Sequence, residues 1–126
     1  MNADFLDSSY KIPGGGWLSS ADDMAKFEVA IFKDRLLRRT TRELMWTPLK
    51  PSDGSEDDYG LGWGVDRKSG VFQVGHTGGQ QGTSTAFLIA PDRRAGVVVL
   101  VNMDDVDAGK LAEELMTTLL NRPTPH

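Results

Sequence analysis

Apolar and polar positions alternate with helical spacing at both ends of the chain and with strand spacing between them. Near the N-terminus, Ser19–Asp23 is a capping pattern, in which a serine accepts from a free amide of the first helical turn and an acidic residue reaches back. A stripe at helical spacing follows: Met24, Phe27, Val29, Ile31 and Phe32. We therefore expect an amphipathic, core-facing helix from about Ser20 to near Asp34.

A second capping pattern predicts a short helix. Thr40–Glu43 is expected to open a helix through Leu44, Met45 and Trp46, and Pro48 ends it because proline has no amide to continue the ladder. Residues 48–58 then form a polar loop. Its acidic residues lack the spacing of a calcium loop, so we interpret the segment as solvated.

Four segments between residues 59 and 102 are predicted to be strands. In Tyr59–Val65 large residues alternate with glycines. This pattern predicts a strand with side chains on one face and only glycine backbone on the other, against which another group packs closely. Residues 71–76, 83–90 and 95–102 follow, separated by turns, and are expected to form an antiparallel meander. The unbroken apolar run Val97–Val101 predicts a central strand that is covered on both faces.

The last predicted element is a helix from Asp107 to Asn121, where Leu111, Leu115 and Leu119 form a stripe and Arg122-Pro123 ends the helix. The fold class is therefore α+β, with an antiparallel sheet of three to four strands and flanking helices. At 126 residues the chain is one domain. We expect residues 1–16 to be a loop or a partly disordered N-terminus and residues 17–126 to form the folded part.

Composition removes several classes of function. The net charge of -4 argues against binding nucleic acid, which requires a basic face, and the basic cluster from Arg35 to Arg42 fits charges at helix ends. The chain has no cysteine, and its two histidines, His76 and His126, are too few for a multi-histidine metal site, so we predict no metal and no cofactor. No run approaches the ~20 apolar residues that span a bilayer. The cellular compartment is left open.

The segment Val74–Gly79 carries the candidate chemistry. A histidine at the end of a strand, beside glycines, lets a substrate lie against bare backbone, and a backbone amide there can stabilise an oxyanion. If the His-Thr-Gly triplet is considered without the rest of the sequence, the better interpretation is that His76 is an ordinary histidine at a strand end.

Four blocks in the same order resemble the β-lactamase-related serine hydrolases, which include class C β-lactamases, D-alanyl carboxypeptidases, D-aminopeptidases and carboxylesterases. The blocks are Pro13–Phe27, Tyr59–Trp63, Gly75–Gly79 and Ile89–Asp92 with Val97–Asn102. Their order and spacing match over nearly the whole chain. The resemblance implies that the chain corresponds to the C-terminal portion of a β-lactamase and transpeptidase-like fold.

The resemblance also implies roles at the third motif of the family, Lys-Thr-Gly, in which His often replaces Lys. His76 would recognise a substrate carboxylate or support proton transfer. Thr77 would contact the same group, and Thr77, Gly78 and Gly79 would form the substrate and oxyanion corner, with the Gly79 amide as an oxyanion donor.

The other two motifs of the family are missing. A Ser-x-x-Lys at a helix start supplies the nucleophile, and no Tyr-x-Asn triplet occurs in the chain. Ser8 and Lys11 fit the first pattern, but Pro13 and three glycines follow at once and leave no room for the helix, so we interpret the match as accidental. Deleting such a nucleophile costs on the order of 10⁶ in turnover.

Three hypotheses follow. The chain is a segment of a hydrolase, for β-lactam, D-amino peptide or ester substrates, whose activity belongs to a longer or complementing chain. Alternatively, it is a binding module that recognises a carboxylate or a peptidoglycan-like ligand without turnover, or a structural domain in which His76 has no role. In the family, strands and a helix from the beginning of the chain complete the sheet. We therefore expect an open sheet edge or face that favours a homo-oligomer or a complementing chain.

Overall fold

The computed structural model describes residues 7, 9–55, 57–67 and 70–122. The helices and strands are α1 (Ala21–Phe32), α2 (Arg39–Met45), β1 (Gly64–Asp66), β2 (Gln73–Gln80), β3 (Thr83–Ala90), β4 (Ala95–Val101) and α3 (Ala108–Leu120), with short 3-10 turns at Ser9–Lys11 and Pro91–Arg93. The predicted α+β architecture is confirmed. None of the helices in the described ranges has both the length and the apolar character that a bilayer crossing requires.

The four strands form one antiparallel sheet in the order β1-β2-β3-β4. Gln80 pairs with Thr83 across a two-residue turn in which Gly82 has φ 75°, a left-handed conformation that glycine adopts without steric cost. The predicted meander is therefore confirmed, and β3 has the predicted bounds.

Helices cover both faces of the sheet. Neighbouring residues of a strand project to opposite faces, so Phe87 and Ile89 point to one side and Ala86 to the other. On the first side, Ile31 of α1 and Trp46 pack with Val65, Val74 and Ile89. On the second side, α3 packs through a row of small and flexible residues against β3 and β4; the row is Ala108, Ala112 and Met116.

Helix α1 begins where its sequence predicts but buries a different face. The Ser20 hydroxyl accepts from the amide of Asp23 at 3.1 Å, which confirms the cap. Phe27 and Val29, predicted to be in the core, are 41% and 44% exposed, whereas Glu28 is buried. The reason lies on β4, where Gly96 leaves room for the Glu28 carboxyl; a Cβ atom at Gly96 would collide with it.

The burial of the Glu28 carboxyl makes the stability of the protein depend on pH. Desolvation raises the pKa of its carboxyl, because a charged group loses water on entering the protein. A folded-state pKa above the unfolded value favours folding when the pH is low, and this contribution is lost as the pH rises through the folded pKa. Glu28 therefore destabilises the protein at neutral pH.

We expect Glu28→Gln, which removes the charge and keeps the shape, to raise the free energy of unfolding at pH 7 by about 1 kcal/mol. The gain should shrink as the pH falls through the raised pKa and vanish below the ordinary value, since wild-type Glu28 is then neutral too. Urea unfolding at several pH values measures the difference. The exposed Glu114→Gln is the matched control, and an equal, pH-independent effect in both variants would contradict the assignment.

Helix α2 starts one residue before the predicted cap. Arg38 is its N-cap residue and makes no side-chain capping bond, so the predicted capping box at Thr40–Glu43 is wrong. The helix is instead tied to α1 by Arg42, whose guanidinium donates to the Ile31 carbonyl at 2.7 Å, pairs with Asp34 and lies over the Trp46 ring. A tertiary contact replaces the local cap.

The strand predicted for Tyr59–Val65 is wrong over most of its length. Only Gly64–Asp66 pairs as a strand, and Tyr59 makes a single bridge to Gly64. Between them the chain turns: Gly62 has φ 79°, and the Leu61 amide donates to the carbonyl of Met45 at 2.9 Å. The glycines that suggested a bare strand face serve this turn and the close approach of Gly60 to α2.

One prediction about the C-terminal half is also wrong. Strand β4 lies at an edge of the described sheet rather than at its centre, although α1 and α3 both contact it. Helix α3 has the predicted leucine stripe, and Leu111, Leu115 and Leu119 are 38%, 46% and 37% exposed, because the small residues Ala108 and Ala112 allow the helix to approach the sheet on a different face.

Candidate functional site at the His-Thr-Gly strand

The segment singled out by the sequence lies inside a strand rather than at its end. Strand β2 continues beyond the predicted end at residue 76 through Thr77, Gly78 and Gly79 to Gln80, and the turn that follows is Gln81-Gly82. Strand β1 pairs with β2 only as far as Gly75. From His76 onwards, no strand in the described part of the chain pairs with the outer edge of β2.

His76 is held by two hydrogen-bonding partners. Its Nε2 lies 2.8 Å from the Tyr59 hydroxyl, and its Nδ1 contacts the carbonyl oxygen of Thr77. The Tyr59 and His76 rings meet edge to face with centroids 5.8 Å apart. Sequence reasoning missed Tyr59 as a site residue; its position in a glycine-rich block that resembled the family was the signal available.

Thr77 projects to the face opposite His76. It pairs with Ala86, whereas His76 pairs with Phe87, so the two side chains leave the strand on different sides. The Thr77 methyl group lies beneath α3, since a Cβ atom at Gly109 would be 3.0 Å from it. Both residues nevertheless line one cleft of about 510 Å³, which opens around the free edge of β2.

The two glycines of the motif have different surroundings. A Cβ atom at Gly78 would lie 2.7 Å from the Thr85 hydroxyl, which donates to the Gly78 carbonyl at 3.3 Å. At Gly79 a Cβ atom would meet nothing within 4 Å. Gly79 therefore exposes bare backbone to open space, the surrounding that close approach of a ligand requires. Its role as an oxyanion donor stays a prediction.

Charge in the cleft is acidic. Asp58, Asp66 and Glu113 contribute carboxyl groups to its lining, beside the apolar Ala86, Leu88 and Ala112. Within the described residues, no three His, Asp or Glu side chains converge as a set that could hold a metal ion. The groups available for chemistry in the cleft are thus an imidazole, a phenol, a hydroxyl, three carboxyl groups and backbone amides.

The N-terminal loop is tied to the far end of the same strand. The Lys11 ammonium donates to the Gln80 side-chain oxygen at 3.1 Å, and the Gln80 amide donates to the carbonyl of Gly15. Lys11 ends a 3-10 turn, not the first turn of an α-helix. Ser8, the other half of the match that we interpret as accidental, lies outside the described residues.

Comparisons with known proteins identify the family. A family model described as beta-lactamase matches residues 1–118. The human serine beta-lactamase-like protein LACTB, mitochondrial, is 30% identical over 118 residues, covering 73% of this chain and 22% of its own length. Penicillin-binding protein 4* of Bacillus subtilis is 28% identical over 96 residues, covering 75% and 21%. The chain thus spans about a fifth of the length of these relatives.

Solved structures agree on the fold. The octameric penicillin-binding protein homologue from Pyrococcus abyssi superposes with a TM-score of 0.70 at 24% identity, over 82% of this chain and 25% of that one. A D-stereospecific amidohydrolase from Streptomyces sp. gives 0.61 at 28% identity, over 76% and 29%. Because the family model covers almost the entire sequence and the sheet with its helices recurs in these structures, this chain belongs to the serine β-lactamase and penicillin-binding-protein family.

Proposed function

We propose that the chain is the C-terminal segment of a β-lactamase-like serine hydrolase and supplies the substrate and oxyanion corner, while the nucleophile comes from another part of the fold. One observation carries the proposal: His76, Thr77, Gly78 and Gly79 lie on a strand edge with which no other described strand pairs, and His76 and Thr77 line a cleft. Free strand amides are preorganised donors for a developing oxyanion, and removing one such donor costs ~10²–10³ in rate.

In this proposal each residue of the corner has a distinct part. His76 binds a substrate carboxylate or assists proton transfer, Thr77 contacts the same group, and the Gly79 amide donates to the oxyanion. Substrates are β-lactams, D-amino peptides or small esters. We expect the chain alone to be nearly inactive, because its sequence has no Tyr-x-Asn triplet and the Lys11 of its one Ser-x-x-Lys match ends a 3-10 turn rather than the first turn of an α-helix.

The part of the fold that carries the nucleophile must dock onto this chain. We propose that it docks at the outer edge of β4. Among the described residues no strand pairs with the outer edge of β4, and its seven residues include neither a charge nor a proline that would discourage pairing. The partly exposed stripe of Leu111, Leu115 and Leu119 lies on α3, which packs against β3 and β4. Gly109 and Glu113 on the other flank of α3 line the cleft over β1 and β2, so the leucines face the β4 side.

The occupant of this surface is the complementing part of the hydrolase fold, in the same or another chain, because the relatives are four to five times longer than the match. A second copy of the chain is the alternative occupant. An octameric assembly is stated for one structural relative. Sedimentation of the isolated chain tests the alternative: a sharply monomeric particle at high concentration would exclude the second copy.

A binding module without turnover is the second candidate, and the cleft beside His76 favours it because this chain alone forms it. Titration of the ¹⁵N-labelled chain with N-acetyl-D-alanine separates the two proposals. A hydrolase segment with half a site should bind with a Kd of about 1 mM or weaker. A binding module should reach the micromolar range.

The same titration locates the corner. We expect the amide resonances of His76 to Gly79 to move, and the movement to disappear in His76→Ala. N-Acetyl-D-alaninamide, in which an amide replaces the carboxylate, is the matched ligand control and should bind more weakly because the anionic group is gone. Equal binding of both ligands, or shifts confined to other strands, would count against carboxylate recognition by His76.

A further inference from the structure

We propose that Tyr59 is a positioning residue for His76, fixing the tautomer and the orientation of its imidazole. The proposal refines the corner described above and takes its functional meaning from the proposed hydrolase role. The Tyr59 hydroxyl lies 2.8 Å from Nε2, and the two rings meet at an interplanar angle of 78°. The phenol therefore constrains the imidazole both by a hydrogen bond and by an edge-to-face contact.

The direction of the hydrogen bonds follows from chemistry. The Thr77 carbonyl oxygen can only accept, so the Nδ1 that contacts it carries a proton. In the neutral ring Nε2 is then the unprotonated nitrogen, and the Tyr59 hydroxyl donates to it. Rotation of the imidazole by half a turn would break both bonds. A single tautomer in a single orientation is the result.

Tyr59 can impose this order because its backbone is fixed. Its carbonyl accepts from Leu49 at 2.9 Å, and the next residue, Gly60, donates to Trp63 at 2.7 Å. Gly60 is buried against α2, where a Cβ atom would collide with the carbonyl of Met45. The phenol thus projects from a segment anchored on both sides, as accurate positioning requires.

The same pair provides a donor that depends on the charge state of His76. When the imidazole is doubly protonated, Nε2–H donates to the Tyr59 oxygen and the bond reverses. The phenolic hydrogen is then free to donate to an anionic group in the cleft, which Tyr59 and His76 both line. In the neutral state that hydrogen is committed to Nε2, so Tyr59 also determines which donors the corner presents.

The test compares the two tyrosines of the chain. Tyr59→Phe removes only the hydroxyl, and Tyr10→Phe, at a residue that is 76% exposed, is the matched control. His126→Gln is introduced in all samples so that a single imidazole remains. Imidazole ¹⁵N shifts, recorded with increasing pH until they no longer change, report the tautomer of the neutral ring. Equilibrium unfolding confirms that each variant is folded.

We expect wild type and Tyr10→Phe to hold His76 in the Nδ1–H form. In Tyr59→Phe the ratio of Nδ1–H to Nε2–H should fall about fivefold, the factor that the loss of one ordinary hydrogen bond produces. A merely structural Tyr59 would lower stability without changing this ratio. An unchanged ratio in Tyr59→Phe would overturn the proposal.

If Tyr59→Phe does not fold, the tautomer of the wild type still tests the proposal. A dominant Nε2–H form of His76 in the wild type would contradict a hydrogen bond in which the Tyr59 hydroxyl donates to Nε2. The tautomer is read without substrate, so its outcome is independent of any hydrolase activity. A fixed tautomer in a chain that never supports hydrolysis would leave the positioning of His76 intact and refute only the proposed function.

Discussion

Assembly of this chain with the missing part of the fold is expected to raise its rate of β-lactam or ester hydrolysis by on the order of 10⁶ over the chain alone. The expected rate increase equals the effect of the nucleophile. Deleting the nucleophile of a serine hydrolase lowers turnover by on the order of 10⁶, which corresponds to about 8 kcal/mol of transition-state stabilisation. The oxyanion corner and substrate binding account for the much smaller activity that remains.

The experiment supplies the absent part in trans. The part of Penicillin-binding protein 4* outside the matched segment, in which we expect the Ser-x-x-Lys and Tyr-x-Asn motifs of the family, is purified and mixed with the chain. Size-exclusion chromatography first establishes that the two associate, and substrate turnover is then measured. Leu115→Lys, which places a charge in the exposed stripe of α3, should weaken the association, whereas Lys110→Ala on the same helix should not.

Two controls are needed to interpret the measured turnover. Replacing the serine of the supplied motif by alanine should abolish the gain, because the nucleophile is then absent from both polypeptides. An assembled pair without activity would instead support a binding module. Equal activity with and without the supplied part would contradict the proposal, since the chain would then contain its own nucleophile.

The second large effect concerns the core beneath the site. Ile89→Ala should lower the free energy of unfolding by about 3 kcal/mol, within the range of about 2–5 kcal/mol for such truncations. Ile89 is fully buried, pairs with Val74 of the His76 strand and packs with Ile31 of α1. The truncation leaves a cavity between the sheet and the helix, and both the lost burial and the cavity destabilise the fold.

Urea unfolding measures this change as a lower midpoint with an unchanged m-value. Leu100→Ala on β4 is the matched control, because Leu100 is a branched aliphatic residue of the same sheet that is 41% exposed. Its loss should stay below about 1.5 kcal/mol, as little apolar surface returns to water. Equal losses in the two variants would contradict the position of the core between α1 and the sheet.

The sequence correctly predicted the helix starts and the strand that depend on residues close together in the chain. The Ser20 cap, strand Thr83–Ala90 and the start of α3 near Asp107 each depend on a few neighbouring residues, and the structure contains all three. The buried face of α3 was not predictable, because Leu111 and Ala112 are both apolar. Which of them meets the sheet depends on how closely the backbones approach.

Long-range contacts account for the other differences. Strand β4 has the unbroken apolar composition of a central strand, yet its position in the sheet depends on which other strands are present. At the site, the motif from His76 to Gly79 is contiguous and could be found by inspection. Its hydrogen-bonding partner Tyr59 is 17 residues away and reaches His76 through the Tyr59–Gly64 bridge, which no periodicity indicates.

Intact-mass spectrometry of the isolated chain tests the central claim most directly. Wild type and Ser8→Ala are incubated separately with excess β-lactam, an activated ester and a fluorophosphonate. We predict no covalent adduct on either protein, because this chain supplies a substrate corner without a nucleophile. A stoichiometric adduct on the wild type that disappears in Ser8→Ala would contradict the account and make Ser8 and Lys11 the catalytic pair of a minimal hydrolase.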